Sequence, residues 1–303
     1  MRSVLRDVPV IHPLWRRFLL WHRSRLRPDQ YPKALKRLYA DGTGETLDLE
    51  NPKTFGEKIQ WLKLYDNPPI KTVLADKYRV RQWVSEKIGD DHLIPLLGTW
   101  ENADDIDFNA LPDQFALKAN HGSGTNIIVK DKRELDIKKT KKTLNKWLKS
   151  DYSLMGFELH YKHIPPMVIA EKYIENIDGD VYDYKFYCFH GEPRYCLIII
   201  GRHAEQRRAV VDMNFEITSL TIGTQRVGAF PEVDLSSAKP ENYGRMVTLA
   251  RTLCEGLKFV RVDFYNVRGK IYFGEMTFHP MGGMGKILPR EYETVLGDLI
   301  LLS

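Results

Sequence analysis

The chain has 303 residues, 43% hydrophobic and 28% charged, with a net charge of +5 and a pI near 8.9. This is ordinary globular composition, enough for two or three packed subdomains, with no apolar run long enough to cross a bilayer and no visible signal peptide. The mild positive charge favours anionic small ligands at least as well as nucleic acid. Cys188, Cys196 and Cys254 are odd in number, lack metal-ligand spacing and lie in apolar contexts, so they read as buried free thiols of a reducing, cytoplasmic setting.

Residues 1–50 read as a basic helical segment. Trp15, Phe18, Leu19 and Trp21 alternate there with arginines, which fits a helix lying on an anionic membrane surface or an amphipathic helix packed on the body. A helical, substrate-side region follows over residues 51–110. Thr54 and Glu57 have the spacing of a capping box, which predicts a helix start at Thr54. Another helix begins around Asp76 and Lys77, buries Tyr78, Val80 and Val84, and ends near Gly89. Asp76 and Lys77 fit either a cap with an exposed lysine or contacts to a ligand. Ile94–Leu97 reads as a short strand.

Residues 111–174 carry the first strong signal. Phe115–Ala119 is a strand, Asn120-His-Gly-Ser-Gly-Thr-Asn126 a glycine-rich turn, and Ile127–Val129 the return strand. Gly122 and Gly124 let backbone amides approach a phosphate. Lys118, in an otherwise apolar strand, wants an anionic partner. No Gly-Lys-Ser/Thr follows, so this is not the helix-opening P-loop. A lysine-rich helix over Asp136–Trp147 reads as a solvated face, and Met167–Ile174 as a strand ending in a linker.

In residues 175–303, Asp183, Lys185, Tyr187 and Phe189 share one face of a strand. Arg194–Ile200 returns, and Asn242–Glu255 is a helix leading into a hairpin over Phe259–Pro280. Val267-Arg-Gly269 fits a three-residue loop with Gly269 in the left-handed bulge position. That register places Asn266 opposite Lys270 and Glu275 opposite Arg261, with Ile271, Phe273, Glu275 and Thr277 on one face. Asp263 and Glu275 then share a face, and a loop one residue different would separate them. Two carboxylates and Arg261 together suit a hard cation that also holds phosphate oxygens; taken alone, the same charges fit a solvated hairpin.

Laid in order, these pieces resemble the ATP-grasp superfamily and, within it, the TupA-like ATP-grasp family. The matching stretches are Asn51-Pro-Lys-Thr-Phe55, Asp76-Lys77, Leu117-Lys-Ala-Asn-His-Gly-Ser-Gly124, Glu171-Lys-Tyr-Ile174, Asp183-Tyr-Lys-Phe-Tyr-Cys-Phe189, Arg261-Val-Asp-Phe-Tyr265 and Phe273-Gly-Glu-Met-Thr-Phe278. The resemblance implies an α+β fold in which two α+β lobes clamp ATP: a small lobe over 111–174 and a large lobe over 175–303. It implies that Lys118 binds the α- and β-phosphates and that His121, Gly122, Ser123, Gly124 and Thr125 fold over the phosphates. Glu171 with the backbone of Lys172, Tyr173 and Ile174 would hold the adenine, and Asp183 would meet the ribose. Lys185 would meet the γ-phosphate or an acyl intermediate, and Arg261 the transferred phosphoryl group. Asp263, Glu275 and Thr277 would bind magnesium, with Asp76 and Lys77 near the substrate.

Two features depart from the superfamily. Its usual Glu-x-Asn-x-x-Pro ending appears as Glu275-Met-Thr277-Phe-His-Pro280, a hydroxyl replacing an amide carbonyl. The open-sheet domain that begins many such ligases is replaced by the basic segment. The implied chemistry is carboxylate–amine ligation through an acyl phosphate, with sugar-linked carboxylate and amine substrates of surface polysaccharide biosynthesis and no nucleic acid partner. Alternatives are a sugar phosphotransferase, a non-catalytic nucleotide-binding protein, or a glycosyltransferase, for which Asp178-Gly-Asp180 has the metal-motif spelling.

Overall fold

The computed structural model describes residues 20–175, 182–201, 206–223, 233 and 238–302. The basic stretch 12–19 and the Asp178-Gly-Asp180 turn lie outside them.

The first helices are α1 (Tyr31–Thr43), α2 (Phe55–Tyr65), α3 (Pro69–Ala75) and α4 (Val80–Ile88). The capping box at the start of α2 forms as the spacing predicts. The Thr54 hydroxyl accepts from the Glu57 N–H at 3.3 Å, and the Glu57 carboxylate accepts from the Thr54 N–H at 3.0 Å. The helix expected around Asp76 starts later, at Val80, and Tyr78 is exposed rather than buried. The reason is local: Asp76 Oδ1 accepts from the N–H groups of Tyr78 and Arg79, closing a turn that points Tyr78 outward.

A four-stranded antiparallel sheet has the order β1–β4–β2–β3, with β1 Leu96–Trp100, β2 Phe115–Ala119, β3 Asn126–Val129 and β4 Val168–Lys172. Helix α5 (Ile137–Leu148) covers it, burying Leu144 against Phe115, Leu117, Val129, Val168 and Ala170. The lysines of α5 fall on its opposite, solvated face.

A five-stranded antiparallel sheet has the order β10–β9–β5–β6–β7. Its strands are β5 Tyr182–Phe189, β6 Glu192–Ile200, β7 Arg207–Val211, β9 Phe259–Val267 and β10 Lys270–Thr277. A short pair, β8 (Thr221–Ile222) with β11 (Ile287–Leu288), stands apart. Helices cover both faces of the large sheet. On one face Tyr184, Phe186, Val262 and Phe264 pack with α4 and with α6 (Tyr243–Cys254). Each fully buried phenylalanine contributes about 2 kcal/mol from apolar area removed from water. On the other face Tyr187, Phe189 and Phe259 pack with α2 and α7 (Glu291–Asp298). That second face changes character along the strands. Beyond Tyr187 in β5 and Phe259 in β9 come Lys185, Asp183, Arg261 and Asp263, so the apolar layer gives way to charge. The three cysteines are buried free thiols, as expected.

The β9–β10 hairpin departs from its expected register. Its loop is two residues, Arg268 and Gly269, both at positive φ (53° and 78°), as a type I′ turn requires. Lys270 therefore pairs with Val267 and Phe273 with Phe264. Carried to the end of the strand, this register would put Glu275 on the wrong face. A bulge at Gly274 restores it: Glu275 stands directly opposite Asp263, and Thr277 opposite Arg261. Ile271 and Phe273 thus enter the apolar core while Glu275 and Thr277 emerge on the charged face. A Cβ at Gly274 would lie 3.1 Å from the Asp263 carbonyl oxygen, which is why glycine suits the bulge.

Candidate functional site

The small sheet contributes Lys118 and Glu171 to the site. They are diagonal neighbours on β2 and β4, since Lys118 pairs with Ile169 and Ala116 with Glu171. Lys118 Nζ donates to Glu171 Oε2 at 2.6 Å, and Arg81 Nη1 donates to Glu171 Oε1 at 3.1 Å. The anionic partner that a strand lysine needs is therefore Glu171, which the motif had suggested for adenine. Burial disfavours the Lys118 cation, but Glu171 and Tyr265 outweigh it and hold the ammonium above its usual range. Arg81 was not singled out in the sequence. Its signal was its position one turn after Lys77, on the same side of the chain as it enters α4.

The glycine turn is fixed from below by Asn120. Its side-chain amide donates to Asp76 Oδ1 at 2.9 Å and to the Pro165 carbonyl at 2.9 Å, and its Oδ1 accepts from Met167 N–H at 2.8 Å. Asp76 is thus a buried cap and anchor. Lys77 Nζ donates to the Gly122 carbonyl and stands 4.0 Å from Glu275 Oε2, joining the glycine turn to the hairpin. Burial pulls the Lys77 ammonium down, only partly offset by Glu275. Ser123 and Gly124 are exposed at the tip of the turn, with Thr125 half-buried. His121 turns away: its ring is buried, with Nε2 3.2 Å from the Trp147 carbonyl. In the strand end proposed for adenine, the Lys172 N–H is committed to the Pro95 carbonyl at 2.9 Å. Tyr173 borders an outer groove with Lys172, Lys130 and Leu97. Ile174 follows directly, beyond the end of β4.

The large sheet contributes the acidic half. Arg261 Nε donates to Asp263 Oδ1 at 2.6 Å. Its Nη2 meets Asp263 Oδ2 at 2.7 Å, Glu275 Oε1 at 3.1 Å and Thr277 Oγ1 at 3.0 Å. Three hard oxygen donors therefore converge on one positively charged nitrogen. Lys185 Nζ lies 2.5 Å from Asp263 Oδ2 and 3.9 Å from Asp183 Oδ1. Burial opposes the charged forms of Arg261 and Lys185, but Asp263 outweighs it and holds both cations above their usual values. Burial would raise the Glu275 carboxyl, yet Lys77, Arg261 and Lys185 bring it down to about 2.

The two halves face one another. Lys77, Arg81, Lys118 and Glu171 line one cavity together with Phe273 and Gly274 of the hairpin. Asp183, Lys185, Arg261, Asp263, Glu275 and Thr277 form a second charged cluster, which Lys77 joins to the Lys118–Glu171 group through Glu275. The hard-oxygen set of Asp263, Glu275 and Thr277 fits a magnesium ion in kind, because its oxygens already converge on a cation.

No curated protein matches the sequence significantly. Among solved structures, the chain is similar to D-alanine–D-alanine ligase from Bacillus anthracis complexed with ATP, at 19% identity over 75% of this chain and 63% of that one, TM-score 0.42. It is similar to D-alanine–D-alanine ligase from Helicobacter pylori, at 14% identity over 81% and 68%, TM-score 0.42. It is also similar to the ATP-grasp ligase PsnB complexed with minimal precursor, Mg and ADP, at 14% identity over 80% and 65%, TM-score 0.39. The chain thus spans about two thirds of the length of these proteins. The sequence profile described as TupA-like ATPgrasp matches residues 57–301, most of the chain and every element of the cleft, and the chain belongs to that family.

Proposed function

We propose that the chain is an ATP-dependent carboxylate–amine ligase that works through an acyl phosphate and releases ADP and phosphate. The observation that carries this reading is the unequal charge of the cleft. Its small-sheet side sets Lys77, Arg81 and Lys118 against two carboxylates, Glu171 and the buried Asp76, and its hairpin side sets Asp183, Asp263 and Glu275 against Lys185 and Arg261. A cation excess suits a polyphosphate, and a carboxylate excess suits the divalent ion that accompanies it. The segments 111–174 and 175–303 are read as the two lobes that close on ATP.

Lys118 would hold the α- and β-phosphates, released from Glu171 as the nucleotide supplies a stronger anion. Gly122, Ser123, Gly124 and Thr125 would cover the phosphates. Glu171, Tyr173 and Ile174 would border the adenine, and Asp183 the ribose. Asp263 and Glu275, with Thr277 beside them, would hold magnesium, which when bound neutralises charge on the transferred phosphoryl group. Arg261 and Lys185 would orient that group toward the substrate carboxylate, and Asp76 and Lys77 would fix the entrance on the acceptor side. Little covalent chemistry falls to the protein; it positions the reactants and stabilises developing charge.

The acceptor is read as a uronic acid or amino-sugar group of a surface, capsule-type polysaccharide or its precursor, joined to an amino acid. This reading rests on the family resemblance. No helix among the described residues is long and apolar enough to cross a membrane. Peripheral contact through the N-terminal basic segment would bring the enzyme to lipid-linked precursors at the inner membrane face. At the described end of that segment, Arg23 packs on the body through the Leu154 carbonyl at 3.1 Å, while Trp21 is half-exposed.

The test is isotopic. In an acyl-phosphate mechanism one oxygen of the activated carboxylate, whether on the uronic acid or on the amino acid, leaves with the γ-phosphate, so oxygen-18 in that carboxylate appears in inorganic phosphate. Label in AMP would indicate an acyl adenylate. A phosphorylated product without phosphate release would indicate a kinase. Turnover indifferent to ATP would indicate a glycosyltransferase. Any of these overturns the proposal.

A further inference from the structure

Glu158 and His160, in the segment before β4, and His279, just past β10, meet in the interior at 8%, 2% and 2% exposure. One ligating atom from each lies within 4.8 Å of the others. Neither ring nitrogen of His160 or of His279 has a hydrogen-bond partner. Buried polar atoms are nearly always satisfied, so four unsatisfied nitrogens gathered around a buried carboxylate require an explanation. The rings do not supply it to each other: their centroids are 4.9 Å apart and inclined at 58°.

We propose that Glu158, His160 and His279 bind one divalent transition-metal ion of the zinc type, distinct from the magnesium position of the cleft. Two imidazoles and a carboxylate are a common donor set for such an ion and a poor one for magnesium, which demands oxygen. The His279 Nδ1–Glu158 Oε2 separation is 3.6 Å, close to the edge of about 3.4 Å that a tetrahedron with metal–ligand bonds of about 2.1 Å requires. Two cations stand nearby. Lys71 is paired with Asp66, and Lys63 donates to the Gly282 carbonyl at 2.7 Å, so neither ammonium is hydrogen-bonded to Glu158. His160 also borders an open groove with Tyr31, Tyr65, Asn67 and His163, which gives an entry path.

The ion would act as a clasp. Glu158 and His160 belong to the segment that leads into β4, the strand of Glu171, and His279 lies two residues beyond Thr277 at the end of β10. One ion would therefore tie the chain segments that carry the two halves of the cleft. The proposal stands independently of the ligase chemistry.

The test uses the full chain, stripped with a chelator and then saturated with magnesium to occupy the hard-oxygen site. Zinc is titrated in competition with a chromophoric chelator, and bound metal is counted by mass spectrometry. One zinc per chain is expected, with affinity lowered at least about 100-fold in His160→Asn and in Glu158→Gln, the upper range for loss of even an outer-shell partner. Cobalt(II) in the unaltered chain should give the intense visible bands of a low-coordinate, nitrogen-containing site, a readout that needs no variant to fold. No zinc bound at micromolar concentration, equal binding by the His160→Asn/Glu158→Gln double variant, or the weak spectrum of six-coordinate oxygen ligation would overturn the proposal.

Discussion

The two halves of the cleft solve the same problem, holding charge in the protein interior, in opposite ways. On the small sheet, Glu171 is shared by Lys118 and Arg81, and the side as a whole is short of carboxylates. On the large sheet, Arg261 bridges Asp263 and Glu275 while Lys185 closes on Asp263, and the side is short of cations. Neither half is neutral by itself, and Lys77 reaches from the glycine turn toward Glu275 across the gap. Buried charges that are under-compensated within each half are costly unless a ligand completes them, so the imbalance is better explained by binding than by stability.

The contrast predicts separable mutational effects. The largest falls on the acidic half. Glu275→Gln and Asp263→Asn should each lower turnover about a thousandfold, because on the proposed reading they would remove metal ligands that stabilise the transferring phosphoryl group. Nucleotide affinity should fall much less. Near-normal turnover of Glu275→Gln at ordinary magnesium would break the assignment. On the cationic half, Lys118→Ala should weaken nucleotide binding about 10- to 100-fold, the worth of one charge-assisted hydrogen bond, as read by calorimetry. If instead Lys118→Ala spared binding and abolished turnover, the roles of the halves would be exchanged.

The bulge that aligns the acidic half gives the next effect. Gly274→Ala places a Cβ 3.1 Å from the Asp263 carbonyl oxygen, and the crowding should cost about 1–3 kcal/mol in urea unfolding. It should also disturb turnover by shifting Glu275 relative to Asp263. Unchanged stability would indicate that the bulge relaxes freely.

A smaller effect concerns acid. Glu275 is depressed to about 2 by Lys77, Arg261 and Lys185 acting against burial. The ordinary value for a glutamate carboxyl, which the unfolded chain restores, is about 4.5. A depressed carboxylate contributes stability that is fully present above the unfolded value and is lost as pH falls toward the folded value. With its side chain 34% exposed, solvent screening leaves a contribution of about 1 kcal/mol. Comparing urea midpoints between pH 6 and pH 3 should therefore show a steeper loss for the unaltered chain than for Glu275→Gln. Parallel curves would remove Glu275 from the coupled network.

The last effect lies outside the cleft and leaves both halves untouched. Deleting residues 1–27 should reduce sedimentation with anionic liposomes, at about 1 kcal/mol for each arginine near the surface and less in high salt. Equal sedimentation with and without the segment would leave packing on the body as its role.

Much of the molecule was legible because it depends on neighbours along the chain. The capping box at Thr54 and Glu57, the glycine turn between β2 and β3, the shared face of Asp183 and Lys185, and the three buried thiols all follow from local spacing and apolar context. The pairing of Lys118 was legible as a need for an anion, since a lysine in an apolar strand requires one. Its partner was not, because Glu171 meets it only after β4 pairs with β2. The hairpin register was legible only in part. A two-residue and a three-residue loop both place Gly269 at positive φ, so the glycine alone does not distinguish them.

What the sequence by itself determined was the set of side chains that could share a strand face and the turns that close those strands. What only the tertiary structure decided was which faces meet. Packing of Ile271 and Phe273 into the core set the early register of β10, and the bulge at Gly274 then returned Glu275 to the side of Asp263. The same holds for Arg81 against Glu171 and for His160 beside His279, groups that come together because helices and strands bury their apolar surfaces against one another. Local spacing is governed by the fixed geometry of the backbone. Convergence of distant charges is governed by where the core closes, and that is a property of the whole chain.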